Sequence, residues 1–193
     1  PAFQILFGAK YNIGIGWMQH FFTFFLPSPA SLFFSSCLCF YILSQVLRLK
    51  PWIGILGSLA YSFASYNAII TMVGHVTKFA TMGYAPLVLA GIILLMQRRY
   101  IWGFALTLIA STLFFNQNHV QIVYYFMLLF VCLGITFLIQ IFKTRDFKHL
   151  LNAAVLAFAA IAIGASSFAV ILLPTKEYAK ETMRGGRSEL TIG

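Results

Sequence analysis

Long apolar stretches separated by short polar ones dominate the pattern of this chain. Six stretches lack the alternation of β-strands, and a helix needs about 20 mostly apolar residues to cross a bilayer. The predicted helices are Ala30–Leu47, Trp52–Thr71, Thr81–Met96, Tyr100–Phe115, Val120–Phe142 and Leu150–Leu173, of which the third and fourth are short. We therefore predict an all-α fold, a polytopic transmembrane helical bundle of about six spans.

The segments that flank the apolar stretches have a different character. Residues 1–29 are apolar and aromatic but are broken by glycine and proline, which favours a segment lying at the membrane interface over a further span. We divide the chain into this interfacial segment, a transmembrane domain at 30–173 and the start of a tail at 174–193. The chain begins with Pro1 and ends at Gly193 without a terminating signal, so we interpret it as an internal piece of a longer protein.

Composition excludes several classes of protein. Hydrophobic residues make up 61% of the chain and charged residues 9%, whereas soluble domains carry about 25% charged residues. This excludes a water-soluble globule, a disordered chain and a disulfide-stapled secreted scaffold. The net charge of +9 comes from short basic clusters between apolar stretches, so no nucleic acid is expected as a partner.

The basic residues also predict which loops face the cytoplasm. One set of loops carries seven of them, and the alternate loops, 72–80 and 116–119, carry only Lys78. The seven are Arg48, Lys50, Arg98, Arg99, Lys143, Arg145 and Lys148. By the positive-inside rule the first set is cytoplasmic, and the other loops, the N-terminal segment and the tail lie outside. We predict a multi-pass protein of the cytoplasmic (inner) membrane.

Helix composition indicates which spans pack closely. The second span is rich in glycine and alanine, and the sixth consists largely of small residues. Small side chains let helix backbones approach each other within a bilayer, so both spans are predicted to be buried. The span Val120–Phe142 is rich in leucine and phenylalanine and is predicted to face lipid.

Polar residues gather in three clusters, all on the predicted outer side. They are Gly74–Lys78, Asn116–Gln121 and the tail from Lys176 to Glu189. Each has a structural alternative: a solvated loop for the first, helix capping for the second and an amphipathic surface helix for the third. In the tail, Arg184 and Arg187 surround two glycines, a pattern that suits phosphate because guanidinium groups and glycine N–H groups bind anions. His75, His119 and Glu177 lack compact metal-ligand spacing, so neither a metal nor a cofactor is predicted.

At these clusters the chain resembles the YfhO family of bacterial membrane proteins, particularly its Bacteroidota members. The resemblance covers almost the whole chain. It rests on residues 25–41, 74–78, 84–89, 118–125, 177–179, 184–185 and 188–191, in the same order and at matching spacing. It implies a GT-C-type architecture and transfer of a sugar from a polyprenyl-phosphate carrier to an extracytoplasmic acceptor. In that fold an acidic residue of the first outer loop commonly serves the chemistry, but residues 1–29 contain no Asp or Glu. The catalytic residue is therefore unknown and is expected before Pro1.

The resemblance gives the outer polar residues candidate roles. A leaving phosphate gains negative charge as the glycosidic bond breaks, so positive groups beside it stabilise the transition state. Lys78, Arg184 and Arg187 are the candidates for binding the lipid-phosphate donor. The residues that would orient the sugar or the acceptor are His75, Asn118, His119 and Gln121.

Two other classes of function remain open at this stage. One is a non-catalytic subunit or scaffold of a larger envelope complex. The other is a transporter, which the absence of Asp and Glu within the spans disfavours. Membrane lipid is an expected partner in all three cases.

Overall fold

The computed structural model describes residues 17–18, 21 and 25–181, with side chains for all of these except 144 and 169–181. Seven helices and no strands occupy residues 25–181, which confirms the all-α prediction for this part of the chain. The helices are α1 (Ala30–Val46), α2 (Pro51–Ser62), α3 (Ser65–Met72), α4 (Val76–Met96), α5 (Tyr100–Phe115), α6 (Val120–Thr144) and α7 (Phe147–Glu181).

Three helical segments are long and apolar enough to cross a membrane. They are Val76–Met96, Val120–Lys143 and Phe147–Phe168. The pair α2 and α3 adds a fourth if the bent pair forms one span, and α1 and α5 are apolar helices of 17 and 16 residues. The chain thus has apolar helices at each of the six predicted positions, and the count of six spans stays a prediction.

The second predicted span is a broken helix. α2 ends at Ser62, α3 begins at Ser65, and the two axes differ by 40°. The break leaves carbonyl groups of α2 without helical partners. The side-chain amide of Asn67 donates to two of them, the carbonyl oxygens of Tyr61 at 2.8 Å and Ser62 at 3.2 Å. A buried side chain thus satisfies the backbone where the helix cannot, as the interior of a membrane requires.

The helices pack in a row with α4 near its middle. In the order α2, α1, α4, α5, α7, each helix lies against the next. Glycines permit the close approach: a Cβ added at Gly91 of α4 would lie 2.7 Å from the Thr107 backbone nitrogen, and one at Gly164 of α7 would lie 2.9 Å from that of Thr112. α4 is mostly buried, whereas the described side chains of α7 bury only His149, Ala153, Ala160 and Gly164. The prediction that small residues mark packing contacts is correct for Gly164. The prediction that the second and sixth spans are buried is wrong, since few side chains of α2, α3 and the described part of α7 are buried. The sequence did not identify α4 as the central helix.

α6 lies outside this row. It makes few contacts, with α4 and α7, and most of its side chains are exposed. This confirms the prediction that the leucine-rich and phenylalanine-rich span presents its surface outward.

The loops meet at two opposite ends of the bundle. The end that carries the basic loops 47–50, 97–99 and 145–146 is called the inner end, and the end that carries loops 73–75 and 116–119 is called the outer end. Between them α7 runs from His149 to Ser167, a rise of about 27 Å at 1.5 Å per residue, close to the thickness of a bilayer core. The geometry confirms the separation of the two sets of loops, and the side that each set faces stays a prediction.

Two helix boundaries differ from the expected ones. α4 begins at Val76, five residues before the predicted start, so Lys78 lies in its first turn and not in a loop. α7 continues beyond Leu173 and through Pro174 to Glu181. The first part of the predicted tail is therefore a continuation of the last helix.

Candidate functional site

The first outer cluster forms where α3 turns into α4. The turn passes through Gly74, whose φ of +86° is a conformation that glycine adopts without steric cost. His75 caps the start of α4 and is exposed. Lys78 lies one turn further, with its Nζ atom 5.2 Å from the ring centroid of Tyr66 on α3. The contact holds a positive charge beside the N-terminus of α4, so the side chain and the helix dipole both contribute positive potential there.

The second outer cluster contains two residues with structural roles. Asn116 Nδ2 donates to the Thr112 carbonyl at 2.9 Å and to Ser167 Oγ at 3.0 Å, which ties the end of α5 to α7. Gln117 Nε2 donates to the Leu113 carbonyl at 3.2 Å. The capping interpretation therefore explains these two amide groups.

The remaining members of this cluster point to another role. Asn118 is exposed and has a φ of +54°. His119 is half-buried, and its Nδ1 atom is buried without a hydrogen-bond partner in the described part of the chain. Gln121 is exposed and donates to the hydroxyl of Tyr125 at 3.0 Å. An imidazole nitrogen shielded from solvent without a partner loses hydrogen-bond energy, so it is the feature of this loop that capping does not explain.

The two clusters occupy the same end of the bundle but make no hydrogen bond to each other among the described residues. Val76, at the start of α4, and Gln117, after α5, line one cavity, which shows that the loops are neighbours. Arg184 and Arg187, the other two predicted phosphate ligands, lie outside the described residues. The two loops thus lie at one end of the bundle, and the site that was predicted from their residues stays a prediction.

An apolar crevice opens between α4, α5, α6 and α7. Its volume is about 390 Å³. The lining residues are Val88, Ser111, Phe114, Phe115, Val123, Met127, Phe130, Val131 and Ile161. Its upper part reaches Phe115 and Val123, which flank the Asn116–His119 loop. The crevice exists because α6 packs loosely, and a sequence pattern offers no signal for a gap between helices.

The inner end carries a polar cluster of a different kind. Arg98 forms an ion pair with Asp146, and the backbone N–H of His149 donates to the same carboxylate at 3.1 Å. His149 is buried, with Nδ1 2.8 Å from the Tyr100 hydroxyl and Nε2 2.9 Å from the Met96 carbonyl. A carbonyl oxygen only accepts, so Nε2 carries the hydrogen and Nδ1 accepts from Tyr100. The His149 backbone N–H and the Arg98 guanidinium hold the pKa of Asp146 below its ordinary value.

A metal or disulfide role finds no support in the described part of the chain. No group of three His, Cys, Asp or Glu side chains comes together there. Cys37, Cys39 and Cys132 are free thiols.

No protein-family model, curated protein or solved structure matches this chain. The likeness to the YfhO family and the GT-C architecture that it implies therefore stay predictions.

Proposed function

We propose that this chain is the membrane domain of a GT-C-like transferase that moves a sugar from a polyprenyl-phosphate carrier to an acceptor outside the cytoplasmic membrane. The observation that carries the proposal is the apolar crevice beneath the outer loop that holds His119. A lipid-linked donor needs both features, since its tail requires an apolar channel and its phosphate requires polar groups at the membrane surface.

The crevice has the chemistry of a site for an isoprenoid chain. All of its lining side chains except Ser111 are apolar, and the Ser111 hydroxyl is occupied by the carbonyl groups of Leu108 and Ala160. Val123 and Val131 mark about 12 Å of depth along α6. α6 separates the crevice from the lateral surface of the bundle and packs loosely. An isoprenoid chain can therefore enter the crevice sideways from the bilayer.

The outer end supplies groups for the head of such a lipid. The unpartnered Nδ1 of His119 can accept or donate one hydrogen bond, and Asn118 is exposed beside it. Lys78 adds a positive charge at the same end of the bundle. Arg184 and Arg187, which follow α7 in the sequence, are further candidates for the phosphate.

The test is mass spectrometry of the lipids that copurify with the full-length protein. We expect enrichment of a polyprenyl phosphate or of its glycosylated form. Val123→Trp, which fills the crevice, should lower the retained amount several-fold. The matched control is Leu128→Trp on the exposed side of α6, which should leave it unchanged.

Transfer assays then test the phosphate site. Lys78→Ala and Arg184→Ala should reduce donor use by about tenfold, the loss expected when a charge-assisted hydrogen bond is removed. Both variants should insert into the membrane as the parent does. Transfer at the parent's rate in both would contradict the phosphate site.

A non-catalytic subunit of a larger envelope complex is the second candidate. The loose packing and exposed surface of α6 favour it, since a partner helix would cover that surface as well as lipid does. Copurification of bulk phospholipid alone, even after candidate donors are added, would favour this function.

A further inference from the structure

A second cavity lies at the outer end, separate from the crevice, and its volume is about 400 Å³. Its walls are the segment 25–28, the first turns of α1, one face of α4 and Gln117. This volume falls within the range of about 300 to 1,000 Å³ typical of small-molecule sites. The serines that line this cavity belong to none of the three polar clusters found in the sequence.

The polar groups of the cavity are neutral. They come from Ser28, Ser31, Ser35, Tyr84 and Gln117, and none of the described lining residues is charged. A phosphate or carboxylate would lose its hydration there without gaining a counter-charge. The lining therefore favours an uncharged ligand with several hydroxyl groups.

At the floor of the cavity the Ser35 hydroxyl is hydrogen-bonded, whereas polar groups at the rim keep unpaired donors or acceptors within the described residues. Ser35 is 3% exposed and donates to the Leu32 carbonyl at 3.0 Å, and Tyr84, which lines the same cavity, is 4% exposed. The Ser31 hydroxyl makes no hydrogen bond within the described residues. Gln117 uses its NH₂ group on Leu113, which leaves its carbonyl oxygen facing no protein donor there. A neutral ligand with several hydroxyl groups needs unpaired hydrogen-bond donors and acceptors of this kind, and the rim of the cavity supplies them.

One wall separates this cavity from the apolar crevice. Tyr84 lines the cavity and Val88, one helical turn along α4, lines the crevice. Phe114 lines the crevice and belongs to the same buried cluster as both of them. Because residues four apart lie on the same face of a helix, the cavity and the crevice adjoin neighbouring stretches of one face of α4.

We propose that this outer cavity binds an uncharged sugar, the hydroxyl-bearing acceptor of the transfer reaction. The identification of this sugar as the acceptor of the reaction rests on the proposed function. Binding of a neutral sugar by Ser31 and Gln117 rests on the cavity alone.

The experiment is saturation-transfer difference NMR on the full-length protein in phospholipid nanodiscs. The probes are the methyl glycosides of neutral hexoses and of an N-acetylhexosamine, with hexose 1-phosphates as charged comparators and empty nanodiscs as the blank. We expect at least one neutral glycoside to bind and the sugar phosphates to bind at least tenfold more weakly.

Two variants locate the binding. Gln117→Leu removes the amide, and Ser31→Leu removes the hydroxyl and fills the cavity, so each should weaken binding about tenfold or more. The matched control is Ser166→Leu on the exposed surface of α7, which should bind as the parent does. If Ser31→Leu does not fold, Ser28→Leu at the exposed rim replaces it.

Three results would overturn the site: no glycoside binds, binding persists in the cavity variants, or the sugar phosphates bind equally well. The outcome is separable from that of the lipid experiment. Glycoside binding that depends on Gln117 without any retained polyprenyl lipid keeps the sugar site and removes the transferase. Retained polyprenyl lipid without glycoside binding keeps the transferase and removes the sugar site.

Discussion

The two ends of the bundle differ in whether their polar side chains have hydrogen-bond partners within the protein. At the inner end His149, Tyr100, Asp146 and Arg98 bond to one another or to the backbone. At the outer end His119 keeps an unpartnered ring nitrogen in the described structure. Polar groups that are mutually satisfied stabilise the fold, and unsatisfied ones are available to a ligand. The inner cluster is therefore a clamp and the outer groups are a candidate site.

The turns at the two ends also differ in the type of residue that adopts a positive φ. At the inner end the chain reverses through Arg48, Arg98 and Arg145, each with a φ near +60°. At the outer end it reverses through Gly74 and Asn118, the residue types that adopt the left-handed region most readily. An arginine there costs about 1 kcal/mol. The ion pair of Arg98 with Asp146 stabilises one of these three turns at the inner end.

The largest expected effect concerns which side each end faces. In spheroplasts a membrane-impermeant maleimide should modify Gln121→Cys at the outer end, and it should modify Arg99→Cys only after permeabilisation. The readout is the mass shift of the protein. The parent chain, with its three native thiols, gives the background. The reversed pattern would exchange the two ends and remove the outer site from the extracytoplasmic side.

The next effect separates the two histidines. His149→Ala leaves the Tyr100 hydroxyl and the Met96 carbonyl without partners in a buried place, so the free energy of unfolding should fall by about 3 kcal/mol. His119→Ala removes a side chain whose Nδ1 atom has no hydrogen-bond partner among the described residues, and it should change the free energy of unfolding by less than about 0.5 kcal/mol. Unfolding in mixed detergent micelles measures both. Equal losses in the two variants would show that the outer loop is as structural as the inner clamp.

The smallest effect is the pH dependence of the Arg98–Asp146 pair. Because the folded chain lowers the pKa of Asp146, the ionised carboxylate stabilises the fold above the unfolded pKa, and this contribution is lost as pH falls through the folded pKa. The difference in unfolding between the parent and Asp146→Asn should be constant from about pH 5 to 8 and should shrink below about pH 4. The pair is exposed, so added salt should shrink it too. A difference that grows on acidification would contradict this assignment.

The apolar pattern predicted the helices well because length and hydrophobicity are local properties. The exposure of α6 followed from its leucine and phenylalanine content, since bulky side chains suit lipid and not close packing. The bend at Phe63–Ala64 was missed because the residues around it are as apolar as a continuous helix would be. Asn67 was the available signal, as a lone amide within an apolar stretch.

The candidate site was predicted in part for a related reason. Polar residues in an apolar chain stand out, which directed attention to His75, Lys78, Asn118, His119 and Gln121. The same argument assigned no role to Asp146 and His149, which the fold bonds to Arg98 and Tyr100. It also passed over Ser31 and Tyr84, because a serine or tyrosine near the end of an apolar helix has no distinctive pattern.

The sequence by itself determined that the chain forms apolar helices, where most of them lie along the chain, and which loops are basic. These follow from hydropathy and charge, which each residue carries regardless of its neighbours in space. Only the tertiary structure decided that α4 is central, that α6 stands apart and leaves a crevice, and that two cavities share one wall. Those features depend on how closely helices distant in the chain approach each other, and contacts such as that of Gly91 with Thr107 set that distance.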